Sequence, residues 1–322
     1  MSIDVTRLGH SSRAIRRLAF GCEQLGGYEW GSVDPDEVAA AIELAVGEGV
    51  TLFDTADCYG RGESERRLGR ALARHRERVS IATKFGVRFS DSGEVWYDSS
   101  PQWAEEALHS SLARLGTDTV DLLQMHYWDG VTPLGALFDH LERLRERHKI
   151  RWYGITNHVP ENIVPRAYPG LVSASLEYSL VARSHERAAQ QLAAAGLTFL
   201  AHGSLGQGIL SGKYPEGHRF GAGDRRSRPS YRNFHGERLV RNARIVEVLR
   251  SQARELSASP SQLAIAWVLH AIPESVALVG IKRAAQLSDA LGALRLNISR
   301  EALVALDQAS AGAPSGAEAA TP

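Results

Sequence analysis

The chain has 322 residues, 43% of them hydrophobic and 23% charged, which is enough apolar material for a large core and an ordinary balance for a globular protein. Its 37 basic and 37 acidic residues cancel, and a formal charge of +0 argues against nucleic acid or an anionic membrane surface as the main partner. Cys22 and Cys58, the two cysteines, cannot build a disulfide framework, so we expect a reducing, cytoplasmic setting with free thiols. Met1 to His10 holds no apolar signal core, and the longest uncharged run, Ala188 to Gly212, is too interrupted by Gln, Gly, His and Ser to span a bilayer.

In chain order, Thr6 to Arg17 carries a Gly-His-Ser-Ser-Arg turn and reads as a surface hairpin, followed by a short buried strand, Arg17-Leu-Ala-Phe-Gly21. Asp34-Pro-Asp-Glu37 opens a helix. Asp34 suits the cap, Pro35 the first turn and Glu37 the reciprocal capping position, with Val38, Ile42, Ala45 and Val46 on one face and Gly47 to Gly49 as the stop. Strand and helix then alternate. Strands are expected at Val50 to Phe53, Val79 to Lys84, Val120 to His126, Ile150 to Ile155, Leu171 to Ser175, Leu197 to Ala201 and Val276 to Gly280. Helices are expected near 65–75, from Ser100-Pro101 to Leu115-Gly116, over 134–147, 186–195 and 284–291, and at a cap formed by Ser259-Pro260 with Gln262. Counting the strand at Arg17 to Gly21, eight short apolar strands separated by helices predict a single (β/α)8 barrel, a TIM barrel with an N-terminal β-hairpin, over residues 1–309. The stretch from Ser310 to Pro322, rich in Ala, Gly, Ser and Pro, reads as a disordered tail.

Three consecutive strands end on ionisable residues: Asp54, Lys84 and His126, with Tyr59 in the loop after the first. In parallel α/β architecture that edge is where active sites lie. Phenol titrates near ~10, so a tyrosine that donates its proton at neutral pH needs its phenolate stabilised, and lowering its pKa by one takes roughly 1.4 kcal/mol. A neighbouring ammonium supplies that stabilisation, and a carboxylate keeps the ammonium charged despite burial. These residue types therefore assign Tyr59 as general acid, Lys84 as its electrostatic partner, Asp54 as the counter-ion of Lys84, and His126 as the group that orients a carbonyl or shares in proton transfer. Taken singly, each has a duller reading: a cap, a packing ring, a solvated amine, a satisfied core histidine. Four at matched strand ends make coincidence improbable. No His/Cys cluster has zinc-site spacing along the chain, so no metal is expected.

Phe53-Asp-Thr-Ala-Asp-Cys-Tyr-Gly60 with Gly62-Glu-Ser-Glu65 resembles the first signature of the aldo-keto reductases, and Asp121-Leu-Leu-Gln-Met-His126 resembles that family's histidine strand. Gly154-Ile-Thr-Asn157, Leu205-Gly-Gln-Gly-Ile-Leu-Ser-Gly-Lys-Tyr214 and Gly280-Ile-Lys-Arg283 with Gln286 agree in order and spacing. The resemblance implies hydride transfer from NADPH to an aldehyde or ketone, a small-molecule carbonyl substrate, with Asp54, Tyr59, Lys84 and His126 as catalytic tetrad. It places Thr156 and Asn157 at the nicotinamide carboxamide, Leu205, Gln207 and Gly208 along the pyrophosphate, and Gly280, Lys282, Arg283 and Gln286 at the adenosine end. Two cations at 282 and 283 favour a 2′-phosphate, hence NADP over NAD.

Three positions depart from the family pattern. Ser175 stands where many members have a glutamine that binds the carboxamide, His202 where an aromatic ring stacks on the nicotinamide, and Ala290, after Asp289, where an asparagine contacts adenine. These swaps keep two alternatives open: an NADPH-binding redox sensor with little turnover, and a reductase dedicated to one keto-sugar or natural-product ketone. Trp30, Trp96, Tyr127 and Trp128 lie beyond strand ends and are candidates for an apolar substrate wall. Arg219, Arg225, Arg226, Arg228, Arg232 and Arg238 crowd the Gly217 to Arg238 segment, which with balanced overall charge reads as a lid over cofactor phosphates or a solvated loop.

Overall fold

At the N-terminus, β1 (Val5–Arg7) pairs antiparallel with β2 (Ala14–Arg16), and the turn between them presses against the base of a closed parallel barrel. This is a computed structural model describing residues 4–27, 29–30, 33–90, 92–158, 167–215 and 217–314. The barrel strands are β3 (Leu18–Gly21), β4 (Leu52–Asp54), β5 (Ser80–Phe85), β8 (Val120–Met125), β9 (Ile150–Thr156), β10 (Leu171–Glu177), β11 (Thr198–His202) and β12 (Val276–Gly280). Neighbours pair in that order, and β12 closes on β3 from Ala277 opposite Leu18 to Gly280 opposite Gly21. The (β/α)8 expectation therefore holds, hairpin included.

Two apolar layers follow from alternating strand side chains. Ala19, Leu52, Ala82, Leu122, Val172, Leu200 and Val276 fill the inside of the barrel together with Leu8 and Ile15 from the hairpin. Gly9 lets the hairpin seat there: its φ is +56°, and a Cβ would lie 2.6 Å from the carbonyl oxygen of Val172. The outer layer packs strands such as β8 and β9 against the surrounding helices.

Those helices begin and end where local chemistry stops or starts them. α1 (Pro35–Gly47) buries Val38, Ile42, Ala45 and Val46, and its Asp34 cap accepts from the Asp36 amide at 2.9 Å. The reciprocal bond expected from Glu37 is replaced by an ion pair with Arg283 at 3.5 Å. α2 (Glu63–Leu72) leads into a 3-10 turn over Ala73–Arg78, and α3 (Pro101–Leu115) runs from a Ser100 cap to Gly116 in the left-handed conformation. α4 (Leu134–Glu146), α5 (Glu186–Ala194) and α6 (Gly236–Glu255) follow, then α7 (Pro260–Ala271) with the complete Ser259–Gln262 capping box, and α8 (Ala284–Gly292).

Two features lie outside the sequence reading. A second hairpin, β6 (Val87–Phe89) with β7 (Val95–Tyr97), rises beyond the end of β5, and α9 (Arg300–Ser310) packs against α6. Within the stretch read as a tail, Ser310 is buried at the end of α9, and the Ala313 carbonyl accepts from the Arg183 amide at 2.9 Å; residues 315–322 lie outside the described part. No helix among the described residues is long and apolar enough to cross a membrane.

Candidate active site

Leu8 and Ile15 fill the base of the barrel, and a cavity of about 1280 Å³ lies at the C-terminal ends of its strands. Register sets its floor. Asp54 pairs with Ala82, so Lys84, two residues further along β5, faces the same side, and Lys84 pairs in turn with Gln124 on β8. The Lys84 ammonium consequently sits among acceptors: Asp54 Oδ1 at 2.5 Å, the Thr55 carbonyl at 2.8 Å and the Tyr59 hydroxyl at 3.4 Å. Gln124 donates from Nε2 to the other Asp54 oxygen at 3.0 Å. A buried ion pair survives only when its remaining polar atoms are satisfied, and Gln124 and Thr55 do that here. The His126 ring meets the Tyr59 ring edge-on at 5.9 Å, and Cys58 Sγ lies 3.6 Å from His126 Nδ1.

Asp54, Tyr59, Lys84 and His126 thus come together in one cavity. Beneath them, buried Glu65 accepts from Thr83 Oγ1 and from Arg114 Nε, both at 2.5 Å, tying α2, β5 and α3 under the Tyr59 loop. The electrostatics differ from the simplest expectation. Burial, joined by the carboxylates of Glu23 and Asp54, raises the Tyr59 phenol well above its ordinary range. Burial first, then Lys84 and His202, holds His126 well below its usual value as a neutral imidazole. Tyr59 therefore rests as a protonated phenol.

Further round the mouth, Asn157 has a left-handed backbone (φ 58°), donates from Nδ2 to the His126 carbonyl at 3.3 Å and meets His202 Nε2 through Oδ1 at 2.9 Å. His202 is pushed down to about 3, by burial and then by Lys84, so its ring is neutral. Ser175 lines the cavity, but its hydroxyl donates to the Leu200 carbonyl at 2.9 Å. Gln207 Nε2 donates to Glu177 at 3.0 Å, with Leu205 and Gly208 beside it on the wall. At the far end, the Lys282 amide donates to Gln286 Oε1 at 2.8 Å and its ammonium reaches the Trp30 carbonyl. Arg283 is turned outward to Glu37 and does not line the cavity. Ala290 is buried on the wall beside Asp289, whose Oδ1 accepts from Ser259 at 2.7 Å.

Trp30 and Tyr127 line the cavity; Trp96 and Trp128 do not. Trp96 is exposed beneath Arg88, and Trp128 donates to the Thr132 carbonyl at 2.8 Å. The arginine segment proves to be a strap. Arg225 pairs with Glu23 at 2.6 Å and Glu29 at 3.4 Å, Arg228 also pairs with Glu29, and Trp30 bridges to Asp224. Arg226 is held by Asp224 at 2.6 Å and lies over the Phe220 ring.

The residues present suit a nicotinamide dinucleotide. Thr156 Oγ1 is buried and has no hydrogen-bond partner among the described residues, an unmet need that a carboxamide satisfies. Gly280 leaves bare backbone on the wall, where a Cβ would come within 2.5 Å of Gln24. The cavity exceeds the ~300–1,000 Å³ of most small-ligand sites, as a dinucleotide with a second molecule requires. Gln124 is the member of this cluster that residue type alone does not reveal; standing two before His126 on the same strand, it is legible from the two-residue period.

Comparison with known proteins agrees. Residues 17–311 match the model of the Aldo/keto reductase family. The chain is 29% identical over 304 residues to the probable aldo-keto reductase 1 of Glycine max, covering 94% of this chain and 87% of that one. It is 30% identical over 310 residues to the aldo-keto reductase yakc of Schizosaccharomyces pombe, whose name specifies NADP(+), covering 93% and 89%. Among solved structures it superposes on a glycerol dehydrogenase of Gluconobacter oxydans with a TM-score of 0.86, at 29% identity over 96% of this chain and 95% of the other. An aldo-keto reductase of Bacillus halodurans in its holo form gives 0.76 at 25% identity, covering 99% of each. The barrel, the polar cluster at its mouth and a family match over nearly the whole chain lead to one conclusion: this protein belongs to the aldo/keto reductase family of nicotinamide-dependent oxidoreductases.

Proposed function

We propose that this chain reduces an aldehyde or ketone to the alcohol with NADPH, using Tyr59 as general acid. The observation that carries the reading is the Lys84 ammonium, 2.5 Å from Asp54 and 3.4 Å from the Tyr59 hydroxyl, inside a cavity large enough for dinucleotide and substrate. Bound NADPH supplies hydride to the carbonyl carbon. The chain's own residues manage the oxygen. Tyr59, kept protonated by burial, gives its proton to the oxygen as negative charge grows there. Lys84 stabilises the phenolate left behind, and Asp54 with Gln124 fixes the ammonium so that no reorganisation accompanies transfer. His126, a neutral imidazole, orients the carbonyl oxygen by hydrogen bonding without competing as an acid.

Thr156, Asn157, Ser175, His202, Leu205, Gln207, Gly208, Gly280, Lys282 and Gln286 all line the cavity. In this reading Thr156 and Asn157, with Ser175 and His202 beside them, would hold the carboxamide end, Leu205, Gln207 and Gly208 the pyrophosphate, and Gly280, Lys282 and Gln286 the adenosine end. NADP preference rests on Lys282 and on Arg283 at the rim, and is supported by the cofactor named for the fission-yeast relative. Trp30 and Tyr127 are the aromatic walls kept in this proposal.

The deciding experiment replaces Tyr59 by Phe and measures NADPH binding by fluorescence beside turnover on a panel of aldehydes, ketones and keto-sugars. The expected result is binding within about threefold of the parent and turnover lowered roughly 10²–10⁴-fold, the usual worth of a positioned acid. Parallel loss of both would make Tyr59 structural. Tight NADPH binding by the parent chain with no turnover across the panel would favour the sensor reading instead.

A further inference from the structure

One contact in the cavity is unused by the reductase chemistry. Cys58 Sγ and His126 Nδ1 stand 3.6 Å apart, and a carboxylate oxygen of Asp57 completes a trio of donor atoms all within 4.8 Å of one another. A tetrahedral zinc ion with Zn–S of about 2.3 Å and Zn–N of about 2.05 Å sets its S and N ligands about 3.6 Å apart. Two of the three donors already have that spacing. Asp57 Oδ1 is shut off from solvent and has no hydrogen-bond partner among the described residues. A buried acceptor without a donor costs about 1–3 kcal/mol, and a cation removes that cost.

From these observations we propose that Asp57, Cys58 and His126 form a three-ligand site for a soft divalent cation, zinc foremost. One sulfur, one nitrogen and one oxygen donor suit zinc and its tetrahedral surrogate cobalt(II); magnesium and calcium, which take oxygen ligands, are poorly matched. Cys58 and His126 line the cavity, so the ion has a route in. Binding releases the Cys58 thiol proton as the S–Zn bond forms and the Asp57 carboxyl proton as the O–Zn bond forms, since burial pushes that carboxyl up to about 8; Nδ1 gives its lone pair, leaving the single ring proton of His126 on Nε2. Asp57 moves in from the edge of the trio. Sequence spacing hides the site: two ligands are adjacent in the turn before Tyr59, and the third arrives from the end of β8, 68 residues beyond Cys58. The binding claim is independent of the reductase reading, although the ion would tie the Tyr59 loop to His126.

The test titrates the intact chain, free of nucleotide, with cobalt(II) and then displaces it with zinc. The expected result is one equivalent bound, with a near-ultraviolet thiolate-to-cobalt band and intense visible bands of tetrahedral cobalt. Cys58→Ser abolishes the thiolate band, and Asp57→Asn weakens affinity about tenfold. Cys22→Ser keeps the band, since Cys22 is buried against the Phe20 carbonyl. Zinc also raises the Tm of the parent chain, and Asp57→Asn reduces that rise, a readout that survives if the Cys58 variant folds poorly. Absence of both band and Tm shift in the parent overturns the proposal, as does a band that persists in Cys58→Ser. Either failure leaves the reductase reading standing, because that is judged by Tyr59→Phe.

Discussion

At one end of the cavity Asp54, Lys84 and His126 stand at or just beyond barrel strand ends, set by interstrand hydrogen bonds and register; at the other, Arg225 and Arg228 reach in from a loop and are held by the carboxylates of Glu23 and Glu29, and Arg226 by Asp224 of its own loop. The first group is buried and closely packed with partners, the second partly exposed and held by ion pairs. The difference teaches where rigidity has been concentrated. Proton transfer demands fixed atoms, and the backbone of a closed sheet provides them. Holding a long ligand demands adaptable contact, for which a loop strapped by surface ion pairs suffices.

This contrast is broken or sharpened by a graded set of substitutions. The largest effect is expected for Lys84→Met, which strands the Asp54 carboxylate in the core: urea denaturation should show a loss of about 3–5 kcal/mol together with loss of turnover. Adding Asp54→Asn should recover most of the stability and none of the activity. A single variant costing under about 1 kcal/mol would mean that the ion pair does not anchor that end.

Next comes His202→Phe. The folded His202 takes its proton only near about 3, whereas the unfolded side chain takes it near ~6.5, so between those values the unfolded state binds more protons and stability falls as pH is lowered. Denaturation across this window should give a shallower slope in the variant, by less than the ~1.4 kcal/mol per pH unit that one proton allows, because the ring partly faces the cavity. An unchanged slope would mean that His202 takes up its proton at the same pH folded and unfolded.

Smaller still is the cofactor preference. Lys282→Ala should weaken NADPH about tenfold and NADH hardly at all, a ~1.4 kcal/mol difference. Arg283→Ala should add less, since its side chain is 67% exposed and turned to Glu37. Equal losses for the two dinucleotides would remove the case for NADP. Smallest is Glu29→Gln, which releases Arg228 and leaves Arg225 with Glu23 alone: a change below about 1 kcal/mol that disappears in high salt, read by comparing denaturation curves at two ionic strengths.

Most of the strand-built end was legible in the sequence because it depends on order and period. Eight apolar runs gave the barrel, and Asp54, Lys84 and His126 at matched ends gave the cluster. Caps were equally readable at Ser100 and Ser259, where each side chain serves its own helix. The second hairpin could have been found in Val87-Arg-Phe and Val95-Trp-Tyr flanking a Ser/Gly turn, and α9 in Ser299 followed by Ala302 and Leu306 one turn apart. The rest depends on long-range side-chain geometry. Glu37 leaves its cap for Arg283, Ser175 turns to Leu200, His202 meets Asn157, and Arg225 crosses to Glu23; no local pattern encodes such choices. The same holds for burial at Tyr59, which reverses the direction that Lys84 alone would set.

The hairpin that carries Leu8 and Ile15 plugs the barrel from below, and the cavity lies at the opposite end. Under the proposed reaction, dinucleotide and carbonyl would share that mouth, and a molecule seated near the floor would leave only after the one above it. A stopper at the base would thus set the order of arrival and departure at the mouth without itself lining the cavity.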